Sequence, residues 1–363
     1  MKLFKCQNCG NTIHFNNDVC LACNSRIGYL RRLFDMSALE PSADGSWNAL
    51  ADPGGSYFFC ENAMQGACNW LVPAGSGETF CLACRFNLTI PDLSIPDNHD
   101  RWRRIEQAKK HLLYSLTRWN LPMPRRADDP ERGLAFEFLA DQMDANGNVV
   151  ETVMTGHSSG LIQINIAEAD DAERERRRSI MREPYRTLIG HFRHEIGHFY
   201  WDLLVKDGGR IAAFSEVFGD PAQNYETALT TYYANGAPPD WQQTYISAYA
   251  SAHPWEDFAE TWAHCFHMID GLETARAYGI FPADLPTETV PSTEADPYEA
   301  TGIDQIISAW VPLTVAINSI NRSLGQPDLY PFVLTDAIIG KIDAVFRLIA
   351  GSRGMRIGAP TGH

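Results

Sequence analysis

The sequence predicts an α+β protein, in which a cysteine-rich N-terminal region precedes a mostly helical domain with a small mixed sheet. Three observations favour this fold class. Eight of the nine cysteines lie between residues 6 and 84. Short β-branched segments follow between residues 134 and 166, and amphipathic helical patterns dominate the rest of the chain. A few strands followed by a run of helices is typical of α+β folds.

The first segment, residues 1–34, contains cysteines at a spacing that is typical of a metal site. The pairs Cys6-x2-Cys9 and Cys20-x2-Cys23 each place two thiols in a tight knuckle, and two knuckles complete a tetrahedron around one ion. The segment is too short to bury a core, so the metal would supply most of its folding free energy. We therefore expect a zinc ribbon, with rubredoxin-like iron as the alternative.

The second segment, residues 35–98, is rich in glycine, proline, asparagine and serine and carries Cys60, Cys68, Cys81 and Cys84. Only Cys81 and Cys84 have the knuckle spacing, so the pattern is looser than the first. We expect a second four-cysteine zinc site. The alternative is a single site that mixes the two segments and leaves some thiols over.

The third segment, residues 99–363, has no clustered cysteine. Its periodicity predicts a helix over 101–119, ended by Pro122 and Pro124, and then three strands. These strands are expected over 134–139, 149–155 and 160–166. Further helices are expected around 186–204, 221–235, 240–251, 255–269, 303–324 and 335–350.

Within the helix predicted around 186–204 lies the sequence His194-Glu195-Ile196-Gly197-His198. Apolar residues at helical spacing would face the core. The two histidines, four residues apart, share another face and can bind one zinc ion, with Glu195 beside it. The alternative is a helix with two ordinary histidines.

A catalytic zinc needs a third protein ligand and an open position for water. The segment 253–267 begins a second helix with Pro254 in its first turn, and its aromatic residues form one stripe. The other side carries polar residues, which we expect to point to one place: Glu256, Glu260, His264 and His267. The two histidines are alternatives to Glu256 as a ligand, although structural histidines are the simpler interpretation.

These two motifs resemble those of the gluzincin metallopeptidases, and especially the lethal-factor type. That type has a Glu-x-Phe-Ala-Glu helix, like Glu256-Asp-Phe-Ala-Glu260 here, and a tyrosine seven residues before its zinc-binding glutamate, where this chain has Tyr249. Over nearly its full length, the chain also resembles bacterial zinc-binding metallopeptidases with an N-terminal zinc ribbon. That second resemblance rests on segment 59–73 and on the run HPWEDFAETWAH.

The resemblance implies a zincin-like metallopeptidase fold over 99–363 and hydrolysis of peptide bonds by an activated water. It implies one catalytic zinc, bound by His194, His198 and Glu256, besides two structural zinc ions in the cysteine segments. Glu195 would be the general base.

The same resemblance implies two supporting residues and a substrate strand. Tyr249 would donate to the oxyanion of the reaction, with a plain core tyrosine as the alternative, and Glu260 would orient a zinc-bound histidine. In this fold type strand 160–166 would be an edge strand that lines the cleft and pairs with an extended peptide. The long gap between His198 and Glu256 departs from the family pattern and leaves the shape of the cleft open.

The charge balance limits the partners and the compartment. The 45 acidic residues outnumber the 30 Lys and Arg residues, which gives a formal net charge of −15. Binding of the whole chain to nucleic acid or to an anionic membrane is therefore not expected. No apolar run approaches the ~20 residues of a membrane span, and residues 1–6 lack the apolar stretch of a signal peptide. We expect a cytoplasmic protein with reduced thiols.

Three functions stay open at this point. The first is a metallopeptidase that acts on a protein or peptide and whose zinc ribbon caps the catalytic domain or binds a protein partner. The second is a zinc-ribbon module that binds protein or nucleic acid on a catalytically silent zincin scaffold. The third is a metal-dependent hydrolase of another amide. The basic residues of segment 1–34 favour nucleic acid only weakly, because they would offset the −2 charge of a four-thiolate zinc centre.

Overall fold

The N-terminal cysteine-rich region consists of short antiparallel strands in the computed structural model, which describes residues 1–143, 149–174, 176, 187–280 and 296–355. Strands β1 (Phe4–Lys5) and β2 (Thr12–Ile13) form a hairpin that carries the first cysteine knuckle. A five-stranded antiparallel sheet follows in chain order: β3 (Arg26–Leu30), β4 (Asp35–Pro41), β5 (Trp47–Ala49), β6 (Ser56–Phe59) and β7 (Leu71–Pro73).

A four-stranded mixed sheet joins this region to the rest of the chain. Its strands are β8 (Asn87–Thr89), β9 (Ala135–Leu139), β12 (Gly156–Ser158) and β13 (Leu161–Asn165), in the order β12-β13-β9-β8. Strand β12 is antiparallel to β13, whereas β13, β9 and β8 are mutually parallel neighbours. Strands β10 (Gln142–Met143) and β11 (Val149–Glu151) form a separate antiparallel pair. Because β8 belongs to the second cysteine segment, that segment contributes a strand to a sheet of the C-terminal region.

The expectation that strand 160–166 is an edge strand is wrong. The observed strand β13 lies between β12 and β9, and β12 is the outer strand. The reason is a tight turn at Ser159 and Gly160, whose positive φ values of 47° and 82° fold β12 back onto β13. Apolar periodicity alone does not reveal this turn, although a Ser-Gly dipeptide is typical of turns.

The helices that follow are mostly those expected, with different limits at their ends. They are α1 (Asn98–Arg118), α2 (Leu188–Tyr200), α3 (Ile211–Phe218), α4 (Tyr225–Asn235), α5 (Pro254–Tyr278), α6 (Ile303–Ser323) and α7 (Asp336–Gly351). Helix α2 continues as a π-helical turn, Trp201–Lys206. Helix α3 was not expected from the sequence.

The helix expected over 240–251 is also wrong. This segment contains only two 3₁₀ turns, Trp241–Gln243 and Tyr249–Ala252. The hydroxyl of Ser247 accepts a hydrogen bond from the backbone N–H of Ala250 at 3.1 Å, which gives the backbone an alternative to helical hydrogen bonds. The segment therefore reaches helix α5 as a loop.

An aromatic cluster packs the cysteine-rich region against helix α1. The ring of Phe15 lies 4.9 Å from that of Tyr29, 6.2 Å from that of Trp70 and 5.5 Å from that of Tyr114 on α1. All four side chains are buried. The region is thus attached to the helical part of the chain by core packing as well as by strand β8.

Helices α2 and α5 cross closely, and apolar side chains pack at the crossing. Phe192, Ile196 and Phe199 of α2 are buried, and the ring of Tyr200 stacks on that of Trp262 at 4.8 Å. A Cβ atom on Gly197 would lie 3.0 Å from the Cα of Ala259, so this glycine permits the close approach. The contact brings the beginning of α5 beside the histidines of α2.

One helix in the described part of the chain, α6, is long and apolar enough to cross a membrane by length and composition alone, which is weak support for a span. Its residues Ile306, Trp310 and Leu313 are buried in the core, while 28% of its most apolar stretch is buried in total. The expectation that the protein binds no membrane stays a prediction.

Candidate metal centres

The first cysteine cluster brings four sulfur atoms together. The Sγ atoms of Cys6 and Cys23 lie 3.7 Å apart, as do those of Cys9 and Cys20. A disulfide would hold two sulfurs at about 2.05 Å. A tetrahedral zinc with Zn–S bonds of about 2.3 Å separates its sulfurs by about 3.8 Å. The spacing therefore fits a four-thiolate zinc site.

The second cluster has the same spacing in a more buried setting. Cys60, Cys68, Cys81 and Cys84 are all buried, and the Sγ atoms of Cys68 and Cys81 lie 3.6 Å apart. Backbone N–H groups of Trp70 and Cys81 donate to the sulfurs of Cys68 and Cys60 at 3.4 Å each. Each segment thus assembles its own group of four cysteines.

A third group lies where helices α2 and α5 cross. The Nε2 atoms of His194 and His198 are 3.1 Å apart, and Oε2 of Glu256 lies 3.0 Å and 3.5 Å from them. Metal–ligand bonds of about 2.0–2.1 Å in a tetrahedron separate neighbouring ligand atoms by about 3.3 Å. Two imidazole nitrogens and one carboxylate oxygen at this spacing fit zinc and leave a fourth position for water.

Two further side chains orient His194. Its Nδ1 lies 2.6 Å from Oε1 of Glu260, whose Oε2 accepts a hydrogen bond from the Ser247 hydroxyl at 2.7 Å. Burial, the largest single influence, would raise the pKa of Glu260, but the hydrogen bonds with His194 and Ser247 and the charges of His194 and His264 together outweigh it and lower this pKa to about 2. Glu260 is therefore ionised at neutral pH and holds the proton on Nδ1, which leaves Nε2 free to bind a metal.

His198 is fixed by stacking on a neighbouring ring. The ring centroids of His198 and Trp255 lie 3.7 Å apart, and the two planes meet at 34°. The ring of His157, on the outer strand β12, lies 6.3 Å from that of His198 on a roughly parallel plane. The group formed by His194, His198 and Glu256 therefore lies beside β12, which is the outer strand of the mixed sheet among the described residues.

Comparison with known proteins gives the family of the chain. Residues 98–348 match the family described as "Putative zinc-binding metallo-peptidase", and residues 3–95 match a zinc-ribbon domain. The chain belongs to this metallopeptidase family. Uncharacterised proteins from Mycobacterium tuberculosis and Mycobacterium bovis are 37% identical to it over 350 residues, which cover 96% of this chain and 95% of each relative. No solved structure matches the chain significantly.

The family match and the cysteine clusters support zinc binding by this metallopeptidase. The structure places the other residues expected at its centre as follows. Glu195 is half-buried on α2, between the two histidines in sequence. The ring of Tyr249 lies 5.9 Å from that of His194, at the border of the same group.

The two histidines that the sequence offers as alternatives to Glu256 lie away from this group. Nδ1 of His264 lies 2.8 Å from the hydroxyl of Tyr330, and His267 contacts the guanidinium of Arg193. Neither histidine belongs to the group formed by His194, His198 and Glu256. Both are core side chains with polar neighbours, which is the simpler of the two interpretations open from the sequence.

Sequence reasoning missed several contributors to this centre, of which Tyr225 is the most direct. Its hydroxyl donates to Oε1 of Glu256 at 2.5 Å, although the two residues are 31 positions apart. Trp255, Ser247 and His157 were missed as well. No local spacing relates them to the histidines of α2, because each arrives from a separate loop, strand or helix end.

Proposed function

We propose that this metallopeptidase is a zinc-dependent endopeptidase of the gluzincin type with a zincin-like fold. His194, His198 and Glu256 would bind its catalytic zinc. The observation that carries the proposal is the convergence of their three ligand atoms within 4.8 Å of one another, on two helices that also carry Glu195 and Glu260. Two structural zinc ions in the cysteine clusters would complete the cofactor set.

The zinc, when bound, would lower the pKa of a water towards ~7. Glu195 would take the proton from the attacking water and deliver it to the leaving amine. The carboxylate of Glu195 is close enough to contribute to the raised pKa values of Tyr225 and Tyr249, after burial and Glu256. The base and the two hydroxyl groups would therefore lie in the same neighbourhood as Glu256.

Tyr249 would stabilise the oxyanion that forms as the peptide carbonyl is attacked. Burial, followed by the charge of Glu256, raises the pKa of Tyr249 far above its ordinary value. Its hydroxyl therefore keeps its proton at neutral pH and can donate a hydrogen bond. Tyr249→Phe would lower kcat more than it changes KM if the donation is made in the transition state.

The substrate would be an extended peptide beside strand β12. This strand is the outer strand of the mixed sheet, and His157 at its centre lies next to His198. An edge strand offers free backbone N–H and C=O groups that recognise a peptide backbone with little side-chain discrimination. We propose β12, rather than β13, as the strand that aligns the peptide with the metal.

The cysteine-rich region would cap the catalytic region or bind a protein partner. Sulfur spacings of 3.6–3.7 Å rather than disulfide bonds favour a reducing compartment, for which we propose the cytoplasm. Nucleic acid is not a proposed partner, because the chain carries a formal net charge of −15.

The proposal is tested by zinc analysis and by turnover in matched variants. Elemental analysis should find close to three zinc ions in the wild-type chain, one for each group of ligands, and two in Glu256→Ala. Glu195→Gln should retain all of them but cleave a peptide library about 10²–10⁴-fold more slowly, with new termini read by mass spectrometry. Two zinc ions in both the wild type and Glu256→Ala, or full activity in Glu195→Gln, would contradict the proposal.

A further inference from the structure

Helix α4, in the segment between helices α2 and α5, reaches the proposed metal centre from outside the two helices that carry its ligands. Helix α4 has no buried residue along its length, yet its first residue, Tyr225, contacts Glu256 directly. Gly219 and Gly236, which flank this part of the chain, have φ values of 96° and 75°. These glycines allow the sharp turns that bring the exposed helix across the site.

The two carboxylate oxygens of Glu256 have different neighbours. Oε1 accepts the hydroxyl of Tyr225 at 2.5 Å, whereas Oε2 faces the Nε2 atoms of His194 and His198 at 3.0 Å and 3.5 Å. A hydrogen bond from a neutral donor to a carboxylate is short and strong. It therefore favours one orientation of the carboxylate, in which a single oxygen is offered to the metal.

Tyr225 is itself held in place from two sides. Its ring meets the ring of His253 edge-on at 5.3 Å and that of Trp255 edge-on at 5.5 Å. His253 caps helix α5, and its Nε2 lies 3.2 Å from the carbonyl oxygen of Gln223, two residues before Tyr225. Trp255 stacks on His198, so the same small cluster supports two of the three ligands.

We propose that Tyr225 is a positioning residue of the metal centre, which holds Oε1 of Glu256 so that the carboxylate binds the metal through Oε2 alone. This inference rests on the proposed function, because it assumes that Glu256 is a ligand. It assigns a role to the segment between the two ligand helices, whose length departs from the gluzincin pattern. A ligand supported in this way leaves one coordination position open for water.

The test compares Tyr225→Phe with the wild type by measurements that need no substrate. Zinc affinity is measured by competition with a chromophoric chelator. Loss of a hydrogen bond to a metal-binding carboxylate is expected to weaken the binding of the third zinc about 10- to 100-fold. The zinc ions of the two cysteine clusters should stay bound. Thr230→Ala, a change at an exposed position of the same helix, is the matched control and should bind zinc like the wild type.

A second measurement separates positioning from a general loss of structure. With Co²⁺ in the third site, the visible absorption reports the coordination number, since four-coordinate Co²⁺ absorbs more strongly than five-coordinate Co²⁺. Freeing Oε1 in Tyr225→Phe should allow the carboxylate to bind through both oxygens and should weaken the absorption. The proposal is overturned if the chelator competition or the Co²⁺ spectrum of Tyr225→Phe equals that of the wild type. A wild-type chain with only two zinc ions would overturn the proposed function as well, so the two failures are distinguishable.

Discussion

The cysteine clusters and the His–Glu group differ in how completely the protein surrounds a metal. Each cysteine cluster offers four sulfur atoms, which close a tetrahedron. The group formed by His194, His198 and Glu256 offers three atoms and adds polar side chains around them, among them Glu260 and Tyr225. Closed sites stabilise a fold, whereas a site with an open position and oriented ligands can activate water. Zinc would thus stabilise the fold at the two cysteine clusters and activate water at the His–Glu group of the same chain.

The two cysteine clusters also differ from each other. Cys9 in the first cluster is exposed, whereas all four cysteines of the second are buried. Strand β8 begins three residues after Cys84 and pairs with β9 of the mixed sheet. The fully buried Lys109 of helix α1 pairs with Glu106 and contacts Asn87 of β8. The second cluster is therefore built into the region that carries the His–Glu group, and the first lies at its periphery.

The largest expected effect follows from this difference and concerns Cys84→Ser. Zinc binding to a structural site is worth about 10–16 kcal/mol, which is comparable with the whole stability of a domain. Loss of the second zinc should therefore unfold strand β8, helix α1 and the sheet to which they are attached. We expect little soluble protein, no cooperative thermal transition by circular dichroism, and loss of the zinc of the His–Glu group as well.

A smaller effect is expected for Cys9→Ser in the first cluster. This variant should lose one zinc ion and the local order of the hairpin β1–β2, while the His–Glu group keeps its metal. Zinc analysis and the thermal transition measure both outcomes. If Cys9→Ser unfolded the chain as completely as Cys84→Ser, the two clusters would be structurally equivalent, and the comparison between them would be wrong.

The cysteine clusters could be found from the sequence because their ligands lie on short local spacings. Helical periodicity likewise places the two histidines of α2 on one face, and it places Glu256 and Glu260 of α5 on one face with His264 and His267. The choice of Glu256 among these as the third ligand rests on the family resemblance. Helices α1, α6 and α7 lie within a few residues of their predicted limits. Local patterns, together with the resemblance, therefore gave the candidate ligands, and periodicity gave the main helices.

The remainder depends on contacts between distant segments. The outer position of β12 depends on the turn at Ser159 and Gly160, and the 3₁₀ turns before α5 depend on the hydroxyl of Ser247. The contact of Tyr225 with Glu256 exists only because α4 crosses the site. Gly197 has no sequence signal either, although its missing Cβ sets the distance between α2 and α5. Periodicity within one element cannot predict which elements meet.

The next effect in size is expected for Glu260→Gln and is confined to the His–Glu group. The amide can no longer act as an ionised acceptor for Nδ1–H of His194, so the imidazole loses its fixed orientation. The third zinc should bind about 10- to 100-fold more weakly in chelator competition, and the cysteine sites should be unchanged. Ser247→Ala removes a contact one step further from the metal and should have a smaller effect. Equal zinc affinity in Glu260→Gln and the wild type would show that His194 is oriented by other contacts.

The smallest effect is the loss of stability at low pH, which should differ between the cysteine-rich region and the helical region. Residues 1–95 contain one histidine, the exposed His14, whereas the fully buried His264 lies on helix α5. Burial, with a smaller opposing effect of Glu260, lowers the pKa of His264 to about 4. The unfolded chain, with an imidazole pKa of about 6.5, therefore binds this proton first. The stability that the neutral His264 provides is complete above about pH 6.5 and is lost as the pH falls towards 4.

This loss can be measured by chemical unfolding of the wild type and of His264→Asn at pH 7.5 and 5.5. Between these pH values the free energy of unfolding of the wild type should fall by about 1 kcal/mol because of His264. In His264→Asn the fall in the free energy of unfolding should be smaller by about this amount. His14→Asn is the matched control and should follow the wild type, because its imidazole is exposed in the folded chain. An identical pH dependence in His264→Asn and the wild type would mean that His264 is protonated equally in the folded and unfolded chains. The acid sensitivity of the helical region would then come from other histidines, such as His111, whose pKa burial lowers to about 4, or from the proposed zinc ligands, whose protonation releases the metal.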